Sequence, residues 1–147
     1  MNGPVNLERL HPAEEAAVTE SRAALRCLVV DDDRVSRQLM SSAGRLLNLE
    51  VRETGCANEA MNWLQQERFD LVLLDHQLDG LTGVSVLAYL CDWAKQRGTL
   101  MPPVLVCSGD IGLIDMKHYQ SLQVHDVLKK PLSLDRLAFS MRKLLQI

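Results

Sequence analysis

Five polar residues, widely separated in a chain of 147, share one local setting. Asp31 and Asp32 follow the apolar run Cys27–Val30, Asp75 follows Leu71–Leu74, and Ser108 follows Val104–Cys107. Lys130 closes the shorter run Val127-Leu128-Lys129. Brought together, these groups suit phosphoryl transfer. Carboxylates sharing a pocket repel and raise one another's pKa values. A hard divalent cation relieves this: Mg²⁺ prefers oxygen ligands, takes only one or two carboxylates and keeps several waters that a phosphate can displace. An aspartate carboxylate can itself be the nucleophile, giving an aspartyl phosphate. Because the transferred phosphoryl passes through a loose transition state, catalysis rests mainly on positioning and charge neutralisation. Mg²⁺ would be one positive centre and Lys130 another, with Ser108 a hydroxyl donor beside them.

The elements that must position these residues alternate along the chain. Helical spacing over Val35, Leu39, Met40, Ala43, Leu46 and Leu47 follows the first run, and Glu50–Thr54 reads as an edge strand. Asn58–Gln66 is a second predicted helix, and Val84, Leu87, Leu90 and Cys91 mark a third. A weaker helix is predicted near Ile111–Leu122, and a last one over Leu134–Leu145. Strands alternating with helices imply a parallel sheet covered on both faces. Continuous apolar runs are what strands buried on both faces look like. In such sheets ligands gather at the carboxyl ends of the strands, where the strand order reverses. Asp31, Asp32, Asp75, Ser108 and Lys130 are therefore predicted to converge on one edge.

Length suits one domain, read as residues 25–147, with residues 1–24 a polar, Pro- and Gly-containing tail or linker. The composition is 47% hydrophobic and 24% charged, with net charge −3 and no Lys/Arg cluster, so no electrostatic footprint for nucleic acid is visible. No apolar run approaches the roughly 18 residues of a membrane span. Met1 to Arg26 lacks the order of a signal peptide, which points to the cytoplasm without membrane insertion. Cys27, Cys56, Cys91 and Cys107 have no C-x-x-C spacing and are expected to be reduced, mostly buried thiols. The dispersed histidines His11, His76, His118 and His125 form no zinc pattern.

The segments LVVDDDRVSR (28–37), DLVLLDHQLDGLTG (70–83), PVLVCSG (103–109) and LKKP (128–131) together resemble bacterial two-component response-regulator receiver domains of the chemotaxis type. The likeness covers roughly Leu25 to Leu145. It implies a flavodoxin-like (βα)5 three-layer sandwich with a parallel sheet in the order 2-1-3-4-5. By the same resemblance Asp75 is the phosphoacceptor, Asp31 and Asp32 hold Mg²⁺ with Asp75 and the Gln77 backbone carbonyl, Ser108 is the switch hydroxyl and Lys130 pairs with the phosphate. Pro131 matches the proline that follows a cis peptide in the family. The implied partners are a sensor histidine kinase or histidine phosphotransfer protein as donor and a downstream effector protein. A homodimer through the face of helix 4, strand 5 and helix 5 is a further implied assembly. Such a domain takes part in its own phosphoryl transfer and slow dephosphorylation, with no separate substrate turnover.

Departures from the family pattern are Leu78-Asp79 in place of Met-Pro, Val127 in place of an aromatic on strand 5, and Gln123 in place of a glycine. Without that aromatic, coupling must use backbone motion in the Ser108–Leu113 loop, or the output surface must be read differently. Asp33 is expected to cap helix 1. His76, Gln77 and Asp110 are expected to line the pocket rim, Lys129 to be a surface lysine, and Trp63 and Trp93 to be packing residues. A second reading is a haloacid-dehalogenase-like phosphatase, since Asp31 to Val35 also resembles D-x-D-x-[TV]. There Asp31 would be the nucleophile and Asp33 the acid/base, leaving Asp75 without a role. A third is a degenerate receiver that binds partners without phosphorylation.

Overall fold

Three of the apolar runs become the middle of a parallel sheet in the computed structural model, which describes residues 24–122 and 124–147. The predicted tail, apart from Ala24, and Gln123 lie outside the described residues. The strands are β1 (Arg26–Val30), β2 (Glu50–Thr54), β3 (Leu71–Asp75), β4 (Val104–Ser108) and β5 (Asp126–Lys129). They pair β2-β1-β3-β4-β5, all parallel, which is the predicted order. Every residue of β3 and β4 is buried, whereas the edge strand β2 is buried only at Thr54.

Because side chains alternate across a strand, each run supplies two cores. Leu28, Val30, Val72, Leu74 and Val106 pack on one face with Ala60, Leu87 and Leu90. Cys27, Val29, Leu71, Leu73 and Leu105 pack on the other with Met40, Ala43, Leu137 and Met141. Fully burying one such leucine stabilises the fold by about 1.5–3 kcal/mol.

Among the described residues the helices are α1 (Arg34–Leu46), α2 (Ala57–Gln66), α3 (Gly83–Arg97), α4 (Leu113–Ser121) and α5 (Leu134–Leu145). Asp33 caps α1 as expected, its carboxylate accepting the Ser36 N–H at 2.9 Å. Thr82 and Ser133 cap α3 and α5 in the same way. α4 starts at Gly112 with no side-chain cap. Two expectations for α1 change: Val35 and Leu46, counted in its apolar stripe, are exposed. Of the cysteines, Cys27 and Cys107 are buried, Cys91 is partly buried and Cys56 is exposed, so the thiols are less buried than expected. Trp63 packs against the core beneath the Arg52 guanidinium, and Arg97 lies over Trp93. No described helix is long and apolar enough to cross a membrane.

An unpredicted antiparallel hairpin pairs Gln77-Leu78 with Leu81-Thr82. Its tip, Asp79-Gly80, has φ values of 42° and 88°. Positive φ at both central residues is what a two-residue type I′ turn demands, and Asp-Gly is among the few pairs that supply it.

Candidate functional site

Parallel pairing brings the predicted residues to one edge. Val30 is in register with Leu74, Asp75 with Cys107, and Ser108 with Lys129. The next residue along, Lys130, donates its N–H to the Ser108 carbonyl at 2.7 Å. Asp31, Asp75 and Ser108 are buried, while Asp32 is exposed. The Lys130 ammonium donates to Asp31 Oδ2 at 3.0 Å and lies 3.4 Å from Asp75 Oδ1. Asp31 Oδ1 accepts the Asp33 N–H at 2.8 Å. One oxygen from each of Asp31, Asp32 and Asp75 lies within 4.8 Å of the others.

Burial pushes the Asp75 carboxyl up to about 6, and the neighbouring Asp31 adds to this. Lys130 and the Gln77 N–H, both hydrogen-bonded to it, pull the other way. Burial alone would lower the Lys130 pKa; the hydrogen bond and charge of Asp31, with those of Asp75, offset it and raise the pKa above its ordinary value. Three carboxylates thus face one ammonium. Hard oxygen donors with surplus negative charge, one of them open to solvent, are a donor set that fits Mg²⁺.

The departures at 78–79 and 127 now have a physical description. The Asp79 N–H donates to Asp32 Oδ2 at 3.2 Å. A proline at 79 has no N–H to give and cannot adopt φ of 42°, so the hairpin and the Asp32 contact exclude the family's residue together. Leu78, by contrast, is buried in the core. Val127 lines a cavity of about 230 Å³ with Ser108, Ile111 and Met116, open space beside the Ser108 hydroxyl. Asp110 turns back on that hydroxyl, its N–H donating to Ser108 Oγ at 3.1 Å.

One expectation is overturned. His76 does not line the rim; it is 2% exposed and points away from the acids, into the side of the sheet that carries α4. Its Nδ1 is 2.6 Å from the Tyr119 hydroxyl and its Nε2 is 3.2 Å from Asp115 Oδ2. The cause is strand alternation: Asp75 faces the pocket, so its neighbour cannot. Gln77 is exposed as expected. Tyr119 and Asp115 carried no signal in the sequence, because α4 has almost no apolar stripe to place them.

Gly83 is where these pieces meet. A Cβ there would fall on the Tyr119 hydroxyl and come within 3.3 Å of the Asp75 carbonyl oxygen. Gly83→Ala is expected to destabilise the fold by about 1–3 kcal/mol through overpacking, read as a lower urea midpoint. An unchanged midpoint would mean that Tyr119 yields freely.

The family model for the response regulator receiver domain matches residues 27–142. The chain is 31% identical over 124 residues to the aerobic respiration control sensor protein ArcB of Escherichia coli, covering 82% of this chain and 15% of that protein. It is 27% identical over 128 residues to the transcription factor SKN7 of Saccharomyces cerevisiae, covering 87% of this chain and 20% of that protein. The chain therefore spans a fifth or less of these two curated relatives. A CheY-like receiver domain from Methanospirillum hungatei superposes with a TM-score of 0.74 at 21% identity, over 84% of this chain and 94% of that one. At that identity the likeness speaks for the fold.

Proposed function

The chain belongs to the response regulator receiver domain family, and from that premise we propose that Asp75 is its phosphoacceptor, served by Asp31, Asp32, Ser108 and Lys130. The family is a signalling module of two-component systems that works through an aspartyl phosphate, not an enzyme with substrate turnover. The observation that carries the residue-level reading is the ammonium of Lys130 held between Asp31 and Asp75 at the sheet edge. Although burial pushes its carboxyl up to about 6, Asp75 is still mostly ionised at neutral pH and able to attack. Its oxygen forms a bond to the phosphorus of a phosphohistidine as the P–N bond breaks, and the released imidazole takes up a proton. Asp31, Asp32, Asp75 and the Gln77 carbonyl would hold Mg²⁺, which would supply charge neutralisation when bound. Lys130, already beside Asp75, pairs with the incoming phosphoryl oxygens. Ser108 offers its hydroxyl from the adjacent strand.

The phosphatase reading loses its support. The Asp33 carboxylate accepts from the Ser36 N–H, which holds its pKa below the ordinary range and leaves it a poor proton donor. Both Asp31 oxygens are engaged by Asp33 and Lys130. A phosphorylation-independent module is disfavoured by the complete acid set. The donor we propose is a sensor histidine kinase or histidine phosphotransfer protein, and the output passes to an effector protein. The exposed Leu113 of α4 and Phe139 of α5 suit a protein partner or a second copy at the α4/β5/α5 face. Free thiols suit a reducing compartment, and we place the domain in the cytoplasm.

Beryllofluoride mimics a phosphoryl group, which gives a direct test. Fluorine NMR of the chain with Mg²⁺ and beryllofluoride is expected to show a bound signal that disappears when EDTA removes the metal. A folded protein with no bound signal would contradict the reading.

A further inference from the structure

We infer that Tyr119 and Asp115 act through His76 as the positioning link between Asp75 and α4, in place of the aromatic side chain that β5 lacks. This rests on Asp75 being the phosphoacceptor.

His76 follows Asp75 and is held from all sides. Its N–H donates to the Cys107 carbonyl of β4 at 3.0 Å, and its carbonyl accepts the Gly83 N–H of α3 at 2.8 Å. Both ring nitrogens then reach α4. A carboxylate only accepts, so Nε2 carries the hydrogen given to Asp115. That tautomer leaves Nδ1 to accept from the Tyr119 hydroxyl, whose oxygen in turn accepts the Val84 N–H. Ring and phenol meet edge to face, with centroids 5.5 Å apart. The arrangement fills the hydrogen-bonding capacity of a buried imidazole with partners from one helix.

What that helix otherwise has to hold it is slight. Among the described side chains of α4, Tyr119 is the only one buried. Its amino end has no side-chain cap and follows Gly109-Asp110-Ile111-Gly112, a segment with a glycine at each end. Ser108 stands at the other end of that segment. Moving the Ser108 hydroxyl toward a phosphoryl group on Asp75 therefore pulls on the amino end of α4, where Asp115 lies. The two contacts differ in kind. Tyr119 is buried and its bond is short, which makes it the pivot. Asp115 has a side chain 37% exposed and a bond of 3.2 Å, which makes it the latch that opens. The cavity beside Val127 gives Ile111 and Met116 room to move.

The test uses the full chain labelled with ¹⁵N-histidine, with Mg²⁺ and beryllofluoride, and binding followed independently by fluorine NMR. On saturation the His76 Nε2 resonance is expected to shift as the Asp115 contact opens. Asp115→Asn should bind beryllofluoride as the parent does and lose most of that shift. Tyr119→Phe should also bind it, yet lose the change in amide exchange over residues 113–121. Bound beryllofluoride with an unmoved His76 Nε2 overturns the link, and so does a Tyr119→Phe variant whose α4 responds like the parent. Should Tyr119→Phe fail to fold, Asp115→Asn, altered at the solvent-facing end, still decides. Absence of bound fluoride in the parent instead overturns the phosphoacceptor reading, and the link with it.

Discussion

Asp75→Asn is expected to abolish phosphoryl uptake and, without metal, to make the protein more stable near pH 7 by about 1–3 kcal/mol. The two effects share a cause. Asparagine keeps the shape of the side chain but has no anionic oxygen to attack phosphorus. It also removes a charge that the fold tolerates poorly, since burial and Asp31 raise the Asp75 carboxyl from 3.8 to about 6. A raised carboxyl pKa means that the native state holds its proton where the unfolded chain has lost it. The stability it contributes is present below about pH 4 and is lost as pH rises through about 6. Metal-free parent protein should therefore weaken across that window, and Asp75→Asn should weaken less. Urea unfolding at pH 4.5 and 7.0 checks this; equal slopes in the two proteins would remove the role given to Asp75 burial. Added Mg²⁺ should stabilise the parent through binding to the native state and the variant less.

Lys130→Ala is expected to act oppositely on stability and to separate labelling from response. The ammonium lies between two buried carboxylates, and deleting one partner of a buried pair leaves an uncompensated charge costing about 3–5 kcal/mol. Lys130 is 21% exposed, so screening by water reduces the loss to roughly 1–3 kcal/mol. Mg²⁺ binding should survive, because the deleted group is a cation that competes for the same oxygens. What should be lost is the answering change in the α4/β5/α5 face, since nothing then pairs with the new phosphoryl oxygens from β5. Amide exchange over that face, with and without beryllofluoride, is the check. Coupling equal to that of the parent would sink this role for Lys130.

Most of the pocket was legible because each of its residues sits at the end of an apolar run. Parallel strands start and stop nearly in register, so positions just past Val30, Leu74, Cys107 and Lys129 become neighbours in space. Strand order followed from the family resemblance. Helix faces were less legible: apolar spacing in α1 counted Val35 and Leu46, yet only the stripe containing Met40 and Ala43 meets the sheet. In the hairpin at 77–82 Asp79-Gly80 is a strong turn signal, but strands of two residues have no periodicity of their own to mark them in the sequence. The contact of His76 with Tyr119 was beyond reach, joining residues 43 apart on a helix with little apolar patterning. The sequence showed the missing aromatic at Val127 but not the open space left there.

The central claim is that a phosphoryl group goes to Asp75. It is tested most directly by incubating the full chain with Mg²⁺ and acetyl phosphate, then locating the modification by peptide mass spectrometry after trapping the acyl phosphate. A single Mg²⁺-dependent modification on Asp75 is the predicted result. Modification of Asp31 with Asp75 untouched, or none in folded protein with Mg²⁺ present, would contradict it.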